Sequence, residues 1–118
     1  MSKVLILEDN KDRIDTLKKK LKDHDLYFFD DVQEAVQAYA LLGPFDMILL
    51  DHDLDDKIFV ESNEPNTGYQ FALFLSQQDT NAQIVIHSMN AKGAQNMKDV
   101  LPQAEVIPFH ILKKALNT

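Results

Sequence analysis

Three short apolar runs in this chain each end in side chains able to bind metal or phosphate. Val4-Leu5-Ile6-Leu7 runs into Glu8-Asp9-Asn10, Met47-Ile48-Leu49-Leu50 into Asp51-His52-Asp53, and Ile84-Val85-Ile86 into His87-Ser88-Met89-Asn90. Runs of this length, rich in Val, Ile and Leu, read as strands buried on both faces, the pattern of a parallel sheet. In an open α/β sheet, ligands bind in the crevice beyond the carboxyl ends of the strands, so the three polar tips should converge on one crevice.

The bulk properties fit one domain spanning residues 1–118, because 118 residues with 45% hydrophobic content can bury a real core. No cysteine is present, which excludes disulfides and thiolate metal sites and makes a reducing cytoplasm the simplest setting. The N-terminus lacks a signal-peptide pattern, and no apolar run approaches the roughly 18 to 20 residues of a membrane span, so a soluble, cytoplasmic protein is expected. The net charge of −7 argues against a protein that coats nucleic acid, and no DNA-binding element is evident. Carboxylates cluster at two of the strand tips, where a bound cation would neutralise part of this charge.

Strands and helices alternate along the chain. After the first strand, Ile14, Leu17 and Leu21 fall at helical spacing, with Asp12 and Asp15 early and Lys18, Lys19, Lys20 and Lys22 late, an order that suits the helix macrodipole. The lysine run reads as a solvated helix end. Residues 26–29 form a second strand, and Asp30 or Asp31 can cap a helix whose Val32, Ala35, Val36 and Tyr39 share a face, ended by Gly43-Pro44. Strand three is expected over residues 45–50. The connection from His52 to about Asn66 is much longer than the roughly 2 to 6 residues usual for a βα loop, and long loops beside a site are often lids or binding loops. Thr67 can cap a third helix reaching Gln77. Strand four follows at 83–86, a helix at about 91–101, strand five at 105–109, and a closing helix at 110–116. This five-fold βα alternation predicts a three-layer, doubly wound, flavodoxin-like parallel sheet of five strands in the order 2-1-3-4-5. In that order strands one and three are neighbours at the switch point, which brings Glu8, Asp9 and Asp51 together.

Glu8-Asp9 after strand one, Asp51 at the end of Ile48-Leu49-Leu50, Gly68 opening the third helix and Ser88 ending strand four resemble the receiver domain of two-component response regulators, over almost the whole chain. The resemblance implies the CheY-like form of the flavodoxin-like sheet, an acidic pair that holds magnesium, a phosphoryl-accepting aspartate at Asp51, and a phosphoryl-binding hydroxyl at Ser88. Two departures stand out. That family places a lysine before the proline near the end of strand five, where this chain has Ile107-Pro108, and Ala104 lies where an aromatic switch residue would be. Asp51-His52-Asp53-Leu54, Asn66-Thr67-Gly68-Tyr69, His87-Ser88-Met89-Asn90 and Asn96-Met97-Lys98 are most similar to a divergent receiver branch described as cyclic-phosphate processing. That likeness implies a phosphoester site acting on cyclic phosphate ends of RNA or nucleotides.

The residues support such chemistry independently. Several carboxylates within a few ångströms cannot all stay ionised without a compensating cation. Oxygen ligands suit Mg2+ or Mn2+, whereas His52 and His87 would move the preference toward manganese, iron, nickel or zinc. The expected metal ligands are therefore Glu8, Asp9, Asp51 and Asp53. The expected catalytic set is Asp51, His52, His87, Ser88 and Asn90, with a histidine transferring a proton and Ser88 and Asn90 orienting the phosphate. Each residue also has a structural role to weigh. Glu8 or Asp9 could cap the following helix, Asp53 its loop, and Asn90 the helix after strand four, while either histidine could be a buried hydrogen-bonder. Two functions follow. One is a metal-dependent phosphoesterase or cyclic phosphodiesterase acting on a phosphate-containing small molecule or RNA end. The other is a stand-alone receiver phosphorylated on Asp51 that signals by binding a protein partner. The missing lysine and the histidine-bearing tips favour the first.

Overall fold

The alternation of apolar and polar segments builds five parallel strands and five helices in the computed structural model, which describes residues 2–54 and 60–116. The elements are β1 (Lys3–Leu7), α1 (Lys11–Lys20), β2 (Asp25–Phe29), α2 (Val32–Leu42), β3 (Met47–Leu50), α3 (Gly68–Ser76), β4 (Gln83–Ile86), α4 (Ala91–Val100), β5 (Glu105–Val106) and α5 (Phe109–Ala115). The sheet order is β2-β1-β3-β4-β5, as the sequence predicts. The long connection before α3 includes residues 55–59, which lie outside the described residues.

Side chains alternate across each strand and fill two separate cores. Leu5, Leu7, Ile48, Leu50, Ile84 and Ile86 pack with Ala35, Phe71, Leu75 and Met97 under α2, α3 and α4. Val4, Ile6, Leu49 and Val85 point the other way, onto Leu17, Leu21, Phe109 and Leu112 of the α1 and α5 side. This two-sided burial is why the strands read as continuous apolar runs.

The helix starts follow local chemistry. Asn10 accepts from the Arg13 amide, Asp31 from Gln33 and Glu34, Thr67 from Gln70, and Asn90 from Gly93, each satisfying amides that the first helical turn leaves without partners. The sequence reading extends β3 and β5 too far. Phe45 precedes β3, and β5 ends at Val106, because Pro108 has no amide for the ladder and Phe109 already begins α5. The Ile107 amide still donates to the Ile86 carbonyl.

Register then positions the tips. Leu7 is opposite Leu50, and Leu50 opposite Ile86, so Glu8, Asp51 and His87 leave their strands at the same level.

Candidate metal and phosphate site

The same alternation that divides the core divides the tips. Glu8 continues the side of Val4 and Ile6, Asp51 that of Leu49, and His87 that of Val85, so all three face the α1 and α5 side. His52 and Ser88 fall one residue later and turn toward α3 and α4.

Glu8 is almost wholly buried, at 1% exposure. Its Oε2 accepts from the Asp9 and Asn10 amides, each at 3.1 Å, and Oε1 is 2.9 Å from His87 Nε2. Asp51 Oδ1 accepts from the His52 amide at 2.8 Å. One oxygen from each of Glu8, Asp9 and Asp51 lies within 4.8 Å of the others, a set of hard donors compatible with a divalent cation. Arg13 Nη1 reaches both Glu8 Oε1 and Asp51 Oδ2 at 3.6 Å, and the guanidinium carbon lies 5.1 Å from the centre of the Phe109 ring.

Burial, then the neighbouring Asp51 charge, pushes the Glu8 carboxyl up to about 8. Burial also raises Asp51. His87 moves the opposite way, down to about 3, first through burial and then through the Arg13 charge. Near neutral pH, therefore, the Glu8–His87 hydrogen bond is made by a neutral imidazole, and the site retains a proton wherever no cation compensates its carboxylates. His87 Nδ1 is buried without a hydrogen-bond partner among the described residues.

His52 belongs to a different network. Its ring is fully buried against Gly93 of α4, where an added Cβ would come within 2.5 Å of it. Nδ1 donates to Asp53 Oδ1 at 2.8 Å, and Nε2 is 2.9 Å from Ser62 Oγ, which also accepts from Asn96. Asp53 Oδ1 further accepts from the Val60 amide and from Asn90 Nδ2, and Asn90 Nδ2 also donates to the Val60 carbonyl. The described metal-ligand group does not include Asp53, because the chain leaves β3 after Leu50 and its carboxylate turns to His52.

These bonds fasten residues 52–53, 60 and 62 to one another and to α4. His52→Ala is expected to destabilise the domain by about 3 kcal/mol, through a cavity and the loss of the His52–Asp53 hydrogen bond. Amide exchange should accelerate most in residues 60–67, while β1 amides lose only the global increment. Uniform acceleration across the sheet and residues 60–67 would refute this fastening.

Ser88 is buried beside the crevice, and its Oγ accepts from the Asn90 amide. Asn66 holds the start of α2, accepting from the Val32 amide at 2.8 Å, while Thr67 caps α3. His24 accepts from the Ser2 amide near the start of β1, and His110 is exposed on α5. Arg13 is the site residue that sequence reasoning passes over. Its signal was present, since position 13 lies three residues after the Asn10 cap and so in the helical turn nearest the crevice.

An α/β sheet of this order with an acidic pair after β1, an aspartate after β3 and a hydroxyl after β4 defines a receiver-like domain. Residues 3–103 match the cyclic-phosphate processing receiver domain family, and the chain belongs to that family. Among solved structures it is similar to the Mn2+-bound form of response regulator Rcp1, with 18% identity, 99% of this chain and 90% of that one covered, and a TM-score of 0.71. It also resembles the N-terminal domain of an uncharacterized protein from Wolinella succinogenes, at 17% identity, 98% and 88% coverage and a TM-score of 0.73. A CheY-like receiver domain from Methylobacillus flagellatus matches at 17% identity, 98% and 96% coverage and a TM-score of 0.68. These likenesses are of fold. No curated protein matches the chain significantly. No helix among the described residues is long and apolar enough to cross a membrane.

Proposed function

We propose that this domain is a metal-dependent phosphoesterase whose substrates are cyclic phosphates, at an RNA end or on a nucleotide. The observation that carries this reading is the joining of the Glu8, Asp9 and Asp51 oxygen set to a buried histidine through the 2.9 Å Glu8–His87 contact. Family membership and the Mn2+ named in the Rcp1 structure favour Mg2+ or Mn2+ as the ion.

When bound, such an ion would polarise the phosphoryl group and acidify water. The chain's own residues do the remaining work. Glu8, Asp9 and Asp51 would hold the ion, and His87, as a neutral imidazole, fixes the orientation of Glu8 through that hydrogen bond. Ser88, whose hydroxyl hydrogen has no acceptor among the described residues, donates to a phosphoryl oxygen. In hydrolysis of a 2′,3′-cyclic phosphate, water oxygen bonds to phosphorus, one ester P–O bond breaks, and the water's proton ends on the departing ribose oxygen. His52, Asp53 and Asn90 act one step back, by tying the residues just after Asp51 to Val60, Ser62 and α4.

Incubation with 2′,3′-cyclic nucleotides and a panel of divalent ions tests this reading. Turnover should require Mg2+ or Mn2+, and Asp51→Asn should lower it by roughly 100-fold or more, the scale expected when a group that stabilises developing charge is removed. Absence of turnover with every ion, together with a stable phosphoryl adduct on Asp51 after treatment with acetyl phosphate, would instead establish a phosphorylated signalling module.

A further inference from the structure

We infer that Arg13 is the anion-binding residue of this site, a guanidinium that rests between the Glu8 and Asp51 carboxylates and turns its N–H groups to a phosphoryl group once a divalent ion takes those carboxylates. The inference rests on the proposed ion site and adds to it the residue that recognises the phosphate.

The resting contacts of Arg13 are electrostatic and loose. At 3.6 Å, its Nη1 lies beyond the roughly 2.7 to 3.2 Å of an N–H···O bond to either carboxylate. No guanidinium N–H is hydrogen-bonded to a described residue, although the side chain is only 21% exposed. Five donors in a fixed fork therefore stand beside the crevice without hydrogen-bond acceptors among the described residues. Arginine presents such a fork to phosphate bidentately. The guanidinium also makes a cation–π contact with the Phe109 ring.

Charge makes the assignment sharper. Among the described residues, Arg13 is the only lysine or arginine paired with Glu8 or Asp51. The end of β5 offers the neutral Ile107. On the β2 side the concavity beside Glu8 and Asp9 is lined by two further acids, Asp30 and Glu34, which repel an anion. Arg13 supplies the positive charge that a phosphate at the ion-loaded site would meet.

The experiment titrates wild type, Arg13→Gln and Arg13→Lys first with Mn2+ alone, followed by calorimetry, and then with inorganic phosphate at saturating Mn2+, followed by 31P line broadening. Arg13→Gln should bind Mn2+ as tightly as wild type or several-fold tighter, because a competing cation is gone, and should bind phosphate at least tenfold more weakly. Arg13→Lys keeps the charge without the fork and should recover part of the phosphate affinity. Unchanged phosphate affinity in both variants would overturn the role of Arg13 while leaving the ion site intact. Parallel loss of Mn2+ and phosphate affinity in the glutamine variant would overturn it by assigning Arg13 to scaffolding. A wild type that binds no Mn2+ would overturn the ion site itself, and the inference with it.

Discussion

Stripped of divalent ions, the domain is expected to melt at progressively lower temperature as pH rises from 6.5 to 8, and excess Mn2+ or Mg2+ is expected to reverse that loss. The folded Glu8 carboxyl is raised to about 8 from an ordinary 4.5, so its contribution is fully present below 4.5 and is lost as pH rises toward 8. Asp51, also raised, acts in the same direction. His87, lowered to about 3 from 6.5, contributes above 6.5 and loses that contribution as pH falls toward 3. Between 4.5 and 6.5 the Glu8 and His87 slopes oppose each other, giving a plateau, whereas above 6.5 the Glu8 slope is unopposed by His87. A group that keeps its proton only when folded costs at most about 1.4 kcal/mol of stability per pH unit, or several degrees of melting temperature from 6.5 to 8.

A divalent ion competes with that proton for the same oxygens. Its stabilisation, about 2.7 kcal/mol at a hundred times the dissociation constant, should therefore be larger at pH 8 than at pH 5.5 for equal ion concentration. Calorimetric melting across pH 4 to 8.5, with chelator and with Mn2+, measures both effects. A metal-free melting temperature flat from 6.5 to 8 would contradict the retained proton, and a Mn2+ shift independent of pH would contradict the shared carboxylates.

Gly68→Ala is expected to be the most damaging single-methyl change in the crevice. Gly68 opens α3 directly against the exit of β3, donating its amide to the His52 carbonyl at 2.9 Å. A Cβ there would lie 1.8 Å from the Asp51 carbonyl oxygen and 2.8 Å from its carbon, so backbone must move. The obstruction is main chain, which no rotamer change relieves. A loss of about 3 kcal/mol or more, and roughly 10 °C in melting temperature, follows from overpacking of this kind. Because the clash is with Asp51 itself, Mn2+ affinity should fall too. An alanine variant within about a degree of wild type, with Mn2+ binding intact, would mean that α3 can slide without disturbing the aspartate.

The sheet was legible in the sequence because three strands are buried on both faces and carry little but Val, Ile, Leu and Met. The weaker strands were less so. β5 has only two residues and both are exposed, so its limits are set by neighbours: the Ile86 carbonyl still pairs with Ile107, and Pro108 stops the ladder. The meeting of Glu8, Asp9 and Asp51 was also legible, since strand order 2-1-3 requires it. The two histidines were harder. Both end apolar runs, yet an offset of one residue, His87 in line with Val85 and His52 in line with Leu50, sends them to opposite faces. Period-two alternation carries that information, but only where the register of adjacent strands is known.

By itself the sequence determined that a five-stranded parallel sheet forms and that its acidic tips share one crevice, because two-sided burial and βα alternation leave little other choice. Only the tertiary structure decided what surrounds those acids. Burial and the packing of α1 against α5 bring Arg13 over Phe109 and His87 onto Glu8, and they lock His52 behind Gly93. These are contacts between residues dozens of positions apart, set by how helices seat on the sheet rather than by local sequence pattern.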